Sequence, residues 1–160
     1  MRSQDEQLFR KKWRDKLASE RLPKSMKLRY RLFGGMPSER LDNQFTLSGD
    51  GETKVTRRDM LVEPKTRRAT SRLSVQETRS LFQELESGLD SLIQADQAEF
   101  PFDSVVGSLT LTVAGETVTY YFPVEQEKLP TGFRASPPLQ SAFQRIDMLS
   151  RRMLEKGGGE

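Results

Sequence analysis

The clearest pattern in this chain is the strict alternation of apolar and cationic side chains over residues 26–32. The apolar positions are Met26, Leu28, Tyr30 and Leu32. Because alternate residues of a strand share one face, this spacing predicts a strand with a single apolar face. Paired glycines permit positive φ and a proline breaks a ladder, so we expect the strand to end at the Gly34–Gly35 corner before Pro37.

Shorter alternating runs predict further strands. Phe45 and Leu47 mark one, and residues 53–55 mark another after the turn signal at 48–52. Residues 109–113 and 118–122 alternate on either side of Ala114-Gly115-Glu116, which predicts a β-hairpin. Residues 57–72 hold six cations around a short apolar patch, so we expect an exposed loop there, with one edge strand near 67–73.

Two segments show helical spacing. The first follows a capping box, Ser74-Val75-Gln76-Glu77, in which the serine and glutamate side chains satisfy amides of the first turn. Its apolar stripe is Leu81, Phe82, Leu85, Leu89, Leu92 and Ile93. The second begins at Ser136-Pro137, and its stripe is Leu139, Ala142, Phe143, Ile146, Leu149 and Met153.

Residues 4–21 predict an additional helix with a narrow apolar stripe between cations, ended by Pro23. The stripe consists of Leu8, Phe9, Trp13 and Leu17. Because so narrow a stripe suits a helix laid against a surface, we expect a basic amphipathic extension over 1–25. A single domain over 26–156 and a flexible tail over 157–160 would then follow.

Strand pairs followed by helices predict an α+β fold. We expect an antiparallel sheet of four to five strands, with two long helices packed on one face and an N-terminal helical extension. The strands alternate with only one apolar face, as expected for a sheet whose second face is exposed to water.

Three segments carry a resemblance to a known family. They are Arg29-Tyr30-Arg31-Leu32-Phe33-Gly34-Gly35, the helix opened by Leu73-Ser74-Val75-Gln76-Glu77, and the run 109–122 followed by Pro137-Pro138-Leu139. Over residues 26–154 they resemble the emfourin-like family, which includes a small bacterial inhibitor of thermolysin-like metalloproteases. The resemblance implies the same α+β layout and a protease-inhibitor relative. The basic extension 1–25 and the insertion around 57–72 depart from the family pattern.

Composition limits the chemistry available to the chain. Its 160 residues are 34% hydrophobic and 31% charged, and it contains no cysteine and no histidine. Zinc sites built on those ligands, iron–sulfur clusters, and Cys or Ser-His nucleophiles are therefore excluded. The carboxylates of 84–103 could form an acid/base pair or a hard-cation site, but Glu86 and Asp90 lie opposite the apolar stripe, which favours a solvated helix face. We expect no catalytic, cofactor or metal site, and no enzyme.

Charge is distributed unevenly and indicates a binding partner. Residues 1–31 carry a local charge of +7 and residues 74–136 carry −7, within a net charge of +3, so the two regions can attract different partners or each other. The leading hypothesis is a non-enzymatic protein-binding module, either a protease-inhibitor relative or a docking subunit of a larger complex. The candidate partner-binding residues are Phe9, Arg10, Trp13, Arg14, Leu17, Phe33, Gly34, Gly35 and Met36. The alternative is an RNA-associated assembly factor that uses the basic N-terminal segment and the 57–72 loop.

The chain shows no targeting signal. Its N-terminal residues lack the apolar core of a signal peptide, and no apolar run approaches the roughly 20 residues of a membrane span. We therefore expect a cytoplasmic location.

Overall fold

A computed structural model describes residues 4–34, 41–59, 65–89, 105–124 and 137–157, and the fold is α+β. The elements in chain order are α1 (Gln4–Leu17), β1 (Lys27–Gly34), β2 (Leu41–Ser48), β3 (Glu52–Asp59), β4 (Lys65–Arg72), α2 (Val75–Gly88), β5 (Val105–Val113), β6 (Glu116–Val124) and α3 (Pro137–Gly157). The predicted tail residues 158–160, Ser136, and the stripe residues Leu92 and Ile93 lie outside the described ranges.

The strands form one antiparallel sheet in the order β4-β3-β2-β1-β5-β6. The expected count of four to five strands is wrong, since the described residues contain six. The difference arises in 57–72, where we expected mostly loop: β3 continues to Asp59 and β4 occupies 65–72. These strands were hard to recognise because cations rather than apolar residues occupy several of their positions. The prediction of an edge strand near 67–73 is confirmed by β4.

The core lies between one face of the sheet and three helices. Leu28, Leu47 and Leu111 form one buried row across the sheet, and Phe45, Leu109 and Tyr120 lie in the next. α1 packs over β5 and β6, α3 over β3 and β4, and α2 contacts both of these helices. The sheet is therefore covered by three helices on one face, where we expected two.

The N-terminal helix belongs to this core, which corrects the expected extension. Phe9, Trp13 and Leu17 are 2%, 0% and 6% exposed, and the Trp13 ring meets Phe82 of α2 edge-on at 5.2 Å. Only Leu8 of the predicted stripe points outward, with 52% of its surface exposed. The boundary expected between 25 and 26 thus does not separate two units, because both sides of it contribute to one hydrophobic cluster.

Polar contacts fasten α1 to α2. The Arg79 guanidinium donates to the carbonyl oxygens of Leu17, Ser19 and Glu20, so a cation satisfies carbonyls that the end of α1 leaves without helical partners. Arg10 lies 3.6 Å from the carboxylate of Glu86 on α2. The apolar stripe and these contacts act on the same helix pair, so α1 is held by packing and by charge.

The serine half of the predicted capping box and the predicted turns are present. The Glu77 amide donates to Ser74 Oγ at 3.1 Å, and the serine hydroxyl reaches the Glu77 carboxylate at 3.2 Å. Gly51, between β2 and β3, has φ of 90°, and a Cβ there would also lie 2.3 Å from the Leu73 carbonyl oxygen. Ala114 and Gly115 both take positive φ in the β5–β6 hairpin, as two-residue hairpin turns require.

Gly107 leaves room for an aromatic cluster. A Cβ on this β5 residue would lie 2.2 Å from ring atom Cε2 of Phe122, its cross-strand neighbour on β6. The Phe122 ring stacks on Phe143 of α3 at 5.2 Å and lies 6.2 Å from the Tyr30 ring. Because backbone and neighbouring rings confine Phe122 from both sides, any side chain at 107 must displace it.

We predict that Trp13→Ala lowers the free energy of unfolding by about 3–5 kcal/mol, because it removes a fully buried aromatic side chain. The matched control is Leu8→Ala. Because the Leu8 side chain is exposed on the same helix, this substitution should change the free energy of unfolding by less than about 0.5 kcal/mol. Urea denaturation followed by circular dichroism measures both. Equal small effects would mean that α1 does not contribute to the core.

We predict that Gly107→Ala destabilises the protein by about 1–3 kcal/mol through overpacking against Phe122. In a Phe122→Leu background the additional cost of Gly107→Ala should fall below about 1 kcal/mol, since the clashing ring is gone. Chemical denaturation of the four proteins in this cycle gives the coupling. The same cost in both backgrounds would contradict the assigned contact.

Candidate functional site

The second face of the sheet is covered by no described helix and is strongly basic. Strand alternation and the pairing register place seven cations on it: Lys27, Arg29 and Arg31 of β1, Lys54 and Arg58 of β3, and Arg68 and Arg72 of β4. Two carboxylates share the face, Asp42 and Glu52. We call this surface the open face. It carries a large positive excess because the strands place their apolar residues on the other side.

Both carboxylates of the open face lie beside cations. Asp42 accepts two hydrogen bonds from the Arg31 guanidinium, each at 2.9 Å. This bidentate contact holds the pKa of Asp42 below its usual range, and it raises the pKa of Arg31. Glu52 lies 3.3 Å from Lys54. The acids of this face therefore offset some of its positive charge without forming an acidic patch.

The cations that remain are regularly placed. Lys27, Arg29 and Arg68 are exposed and form no ion pair with any residue in the described ranges. Residues 27, 29 and 31 repeat about every 7 Å along β1, since two residues of a strand span that distance. The Lys54 and Arg29 positions are separated only by Thr46 on β2. The face thus presents positive charges in rows along a strand and across strands.

Hydroxyl groups and two aromatic rings fill the space between the cations. Thr110 and Thr119 exchange a hydrogen bond at 3.1 Å across β5 and β6. The Arg31 guanidinium lies 4.4 Å above the centre of the Phe33 ring, which is a cation–π contact. Tyr121 lies on the same face of β6 and is half-buried. A shallow depression of about 400 Å³ lies above this part of the sheet and is lined by Lys27, Arg29 and Thr110, among others.

The acids of α2 face the neighbouring helices, away from the open face. Glu86 lies 3.6 Å from Arg10 and 3.7 Å from Arg14, and Glu84 pairs with Arg145 of α3. Glu86 was expected on a solvated helix face, but its side chain is only 13% exposed because α1 covers it. Lys12 pairs with Glu116 at 2.5 Å. The basic N-terminus and the acidic middle of the chain therefore attract each other, one of the alternatives that the charge distribution allowed.

The structure separates the predicted partner-binding residues into three groups. Phe9, Trp13 and Leu17 are buried in the core, so they offer no surface to a partner. Arg10 and Arg14 lie against Glu86. Phe33 and Gly34 lie at the end of β1 next to the open face, with Gly34 at φ of 100°. Gly35 and Met36 fall outside the described residues.

Sequence reasoning missed the open face as a site, although part of its signal was available. The cations of 27–31 alternate with apolar residues, which assigns them to the solvent face of a strand. The cations of 57–72 are expected mostly on a loop, and the edge strand expected near 67–73 has no assigned partner strand. Sequence reasoning therefore does not place Arg68 and Arg72 on the same face as Arg29.

The described residues contain no cluster of metal ligands. Among them, no three carboxylates lie close enough to hold a metal ion. A cavity under α3 is lined by Tyr30, Asn43 and Asp147, but its volume of about 30 Å³ has room for water only. Burial, with Asp147 nearby, raises the pKa of Tyr30, so this phenol stays neutral. No helix in the described part of the chain has the length and apolar character to cross a bilayer.

Comparison with known proteins adds no assignment to this geometry. No protein-family model matches the chain, and no curated protein matches it. The resemblance to the emfourin-like family therefore stays an expectation, and the argument for function depends on the surfaces described above.

Proposed function

We propose that this protein is a non-enzymatic binding module whose open face binds single-stranded nucleic acid. The observation that carries the proposal is the segregation of charge by the sheet: seven cations and two carboxylates share the face that no described helix covers. A backbone of regularly repeated phosphates is the polymer that such rows of cations complement, and neutralising it releases counterions. This develops the RNA-associated alternative: Arg58, Arg68 and Arg72 of the 57–72 segment are kept, on strands instead of a loop, and the cations of α1 are left out.

The composition of the open face favours nucleic acid over a protein partner. Protein interfaces are organised around a desolvated apolar centre with aromatic or arginine anchors in pockets. The centre of the open face carries instead polar side chains such as Gln44 and Thr46, with cations beside them. Interfaces with nucleic acid are more polar and much more positive than protein interfaces, and this face fits that description.

The shape of the face favours a single strand over a duplex. The major groove admits a helix or a two-stranded ribbon, and a six-stranded sheet is too wide to enter it. An unpaired strand can lie across a sheet, with phosphates at the cations and bases on aromatic rings. Phe33 and Tyr121 supply two rings on this face, and Arg31 already stacks on the first.

The protein-binding hypothesis drawn from α1 loses its support, because the apolar stripe of that helix lies in the core. Protease inhibition depends on the family resemblance alone and stays a prediction. The cytoplasmic location also stays a prediction, and it is compatible with an RNA partner.

We predict that the double variant Arg29→Gln/Lys54→Gln weakens binding to fluorescein-labelled oligouridylate by at least about tenfold. Each lost phosphate contact should also reduce the slope of log K against log salt by about 0.7, so the pair should reduce it by about 1.4. Fluorescence anisotropy over a range of salt concentrations measures both quantities, and the matching oligodeoxythymidylate tests whether the 2′-hydroxyl contributes.

The matched control is Lys11→Gln/Lys16→Gln, which removes the same charge from exposed positions of α1 on the helical layer. It should leave the affinity within about twofold, because these positions are distant from the open face. Equal losses in the two variants would show that binding follows net charge alone. If the open-face variant binds with unchanged affinity, the proposal is wrong.

We also predict that Asp42→Asn increases the affinity for oligouridylate by about twofold to tenfold. The substitution keeps the shape of the side chain, removes a negative charge and releases the Arg31 guanidinium for a phosphate. The pKa of Asp42 is lowered, so the carboxylate is charged at neutral pH and its removal changes the charge of the face by one unit. Anisotropy titrations at constant salt test this, and a fall in affinity would place the ligand elsewhere.

A further inference from the structure

A second surface, which shares Arg68 with the open face, lies where α3 passes beside the edge strand β4. A groove of about 560 Å³ runs between these elements. Leu73, Leu149 and Met153 provide its apolar floor, and each is partly or largely shielded from solvent. An apolar groove beside a sheet edge provides pockets for the alternate side chains of an extended peptide.

Cations surround this floor. Arg68, Arg152 and Lys156 line the groove and are exposed, and its described lining includes no carboxylate. Arg67, on the helix-facing side of β4, donates to the carbonyl oxygen of Leu154 at 3.2 Å and so joins the strand to the last turns of α3. The groove therefore combines apolar contact with a positive rim, and its two walls are fastened to each other.

The outer side of β4 has no strand partner among the described residues, because β4 pairs only with β3. Edge strands can accept a further strand, and cations on an edge oppose the approach of other positive strands. A second copy of this chain would bring its own basic β4 against the first. The charge of this edge thus selects against self-association and in favour of an acidic segment.

We propose that the groove between β4 and α3 binds an extended acidic segment of a partner protein, added as a seventh strand beside β4. Side chains of the added strand would alternate between two environments, since successive residues point to opposite faces. Apolar residues would contact Leu73, Leu149 and Met153, and the intervening acidic residues would lie near Arg68. Carboxylates that follow the alternating run, where the segment leaves the strand, would meet Arg152 and Lys156 at the helical rim. The motif recognised is an alternation of acidic and β-branched apolar residues.

The probe is a short fluorescein-labelled peptide of alternating glutamate and valine that ends in two further glutamates, titrated against the full chain and followed by anisotropy. We expect saturable binding with a dissociation constant on the order of 100 µM. A peptide of alternating lysine and valine, and one of alternating glutamate and serine, should each bind at least about tenfold more weakly. No saturation by about 1 mM would overturn the proposal.

Two substitutions on adjacent residues of α3 test the location. Arg152→Glu reverses a charge at the groove and should weaken peptide binding at least about tenfold. Arg151→Glu makes the same change one residue away, where the side chain pairs with Asp147 and does not line the groove, and should have an effect of less than about twofold. Both residues are exposed, so neither change threatens the fold. Equal effects would refute the assignment.

A third arm tests strand addition and separates this proposal from the nucleic-acid proposal. N-methylation of alternate peptide bonds of the probe removes the amide donors of one edge while it keeps every side chain. It should abolish binding in at least one of the two registers, whereas unchanged binding in both would exclude a strand.

Arg29→Gln/Lys54→Gln should leave peptide binding intact and Arg152→Glu should leave oligouridylate binding intact, so that either proposal can fail alone. Loss of peptide binding in the open-face variant would overturn the groove.

Discussion

The whole architecture depends on one constraint, the two-residue period of the strands. Each strand buries only one of its two faces, so the three helices must all cover the same side of the sheet. A shift of one residue in β1 would exchange Leu28 for Arg29 in the core and expose the apolar row. The same period that builds the core therefore also gathers the cations on the opposite face. Core and candidate site are two results of a single register, and neither can change without the other.

Elements with strong local signals were predictable from the sequence. The β5–β6 hairpin, the capped helix α2 and the stripe of α3 follow from spacing and turn chemistry within short segments. The position of β5 beside β1 was not predictable, because nothing local to Leu111 specifies that its partner is Leu28. The open face depends on that long-range order, and on the register in which β4 pairs with β3. It therefore could not be assembled from local patterns alone.

The N-terminal helix shows how one pattern can support two opposite interpretations. A narrow stripe around Trp13 among cations suits a docking helix, and it equally suits a helix that docks on its own domain. The deciding partners are Phe82, Arg79 and Glu86, each at least 59 residues along the chain from the residue that it contacts. Their residue types were visible, but their common orientation on α2 became evident only once that helix was placed. The charge distribution of the chain gave the better indication, because it allowed the basic and acidic regions to attract each other.

The strand order has a consequence for how the protein is made. β1 to β4 can pair as the chain leaves the ribosome, since each of these strands pairs with the one before it. The second neighbour of β1, however, is β5, whose Thr112 pairs with Lys27 and which is synthesised much later. α1 likewise contacts α2, β5 and β6, which all follow the first four strands in the chain. Until those later elements are synthesised, the apolar faces of the sheet β1–β4 and of α1 are not covered. α1 precedes every strand of the sheet in the chain and is thus among the last of the described elements to reach its final contacts, and the core closes only after β6 and α3 have been synthesised.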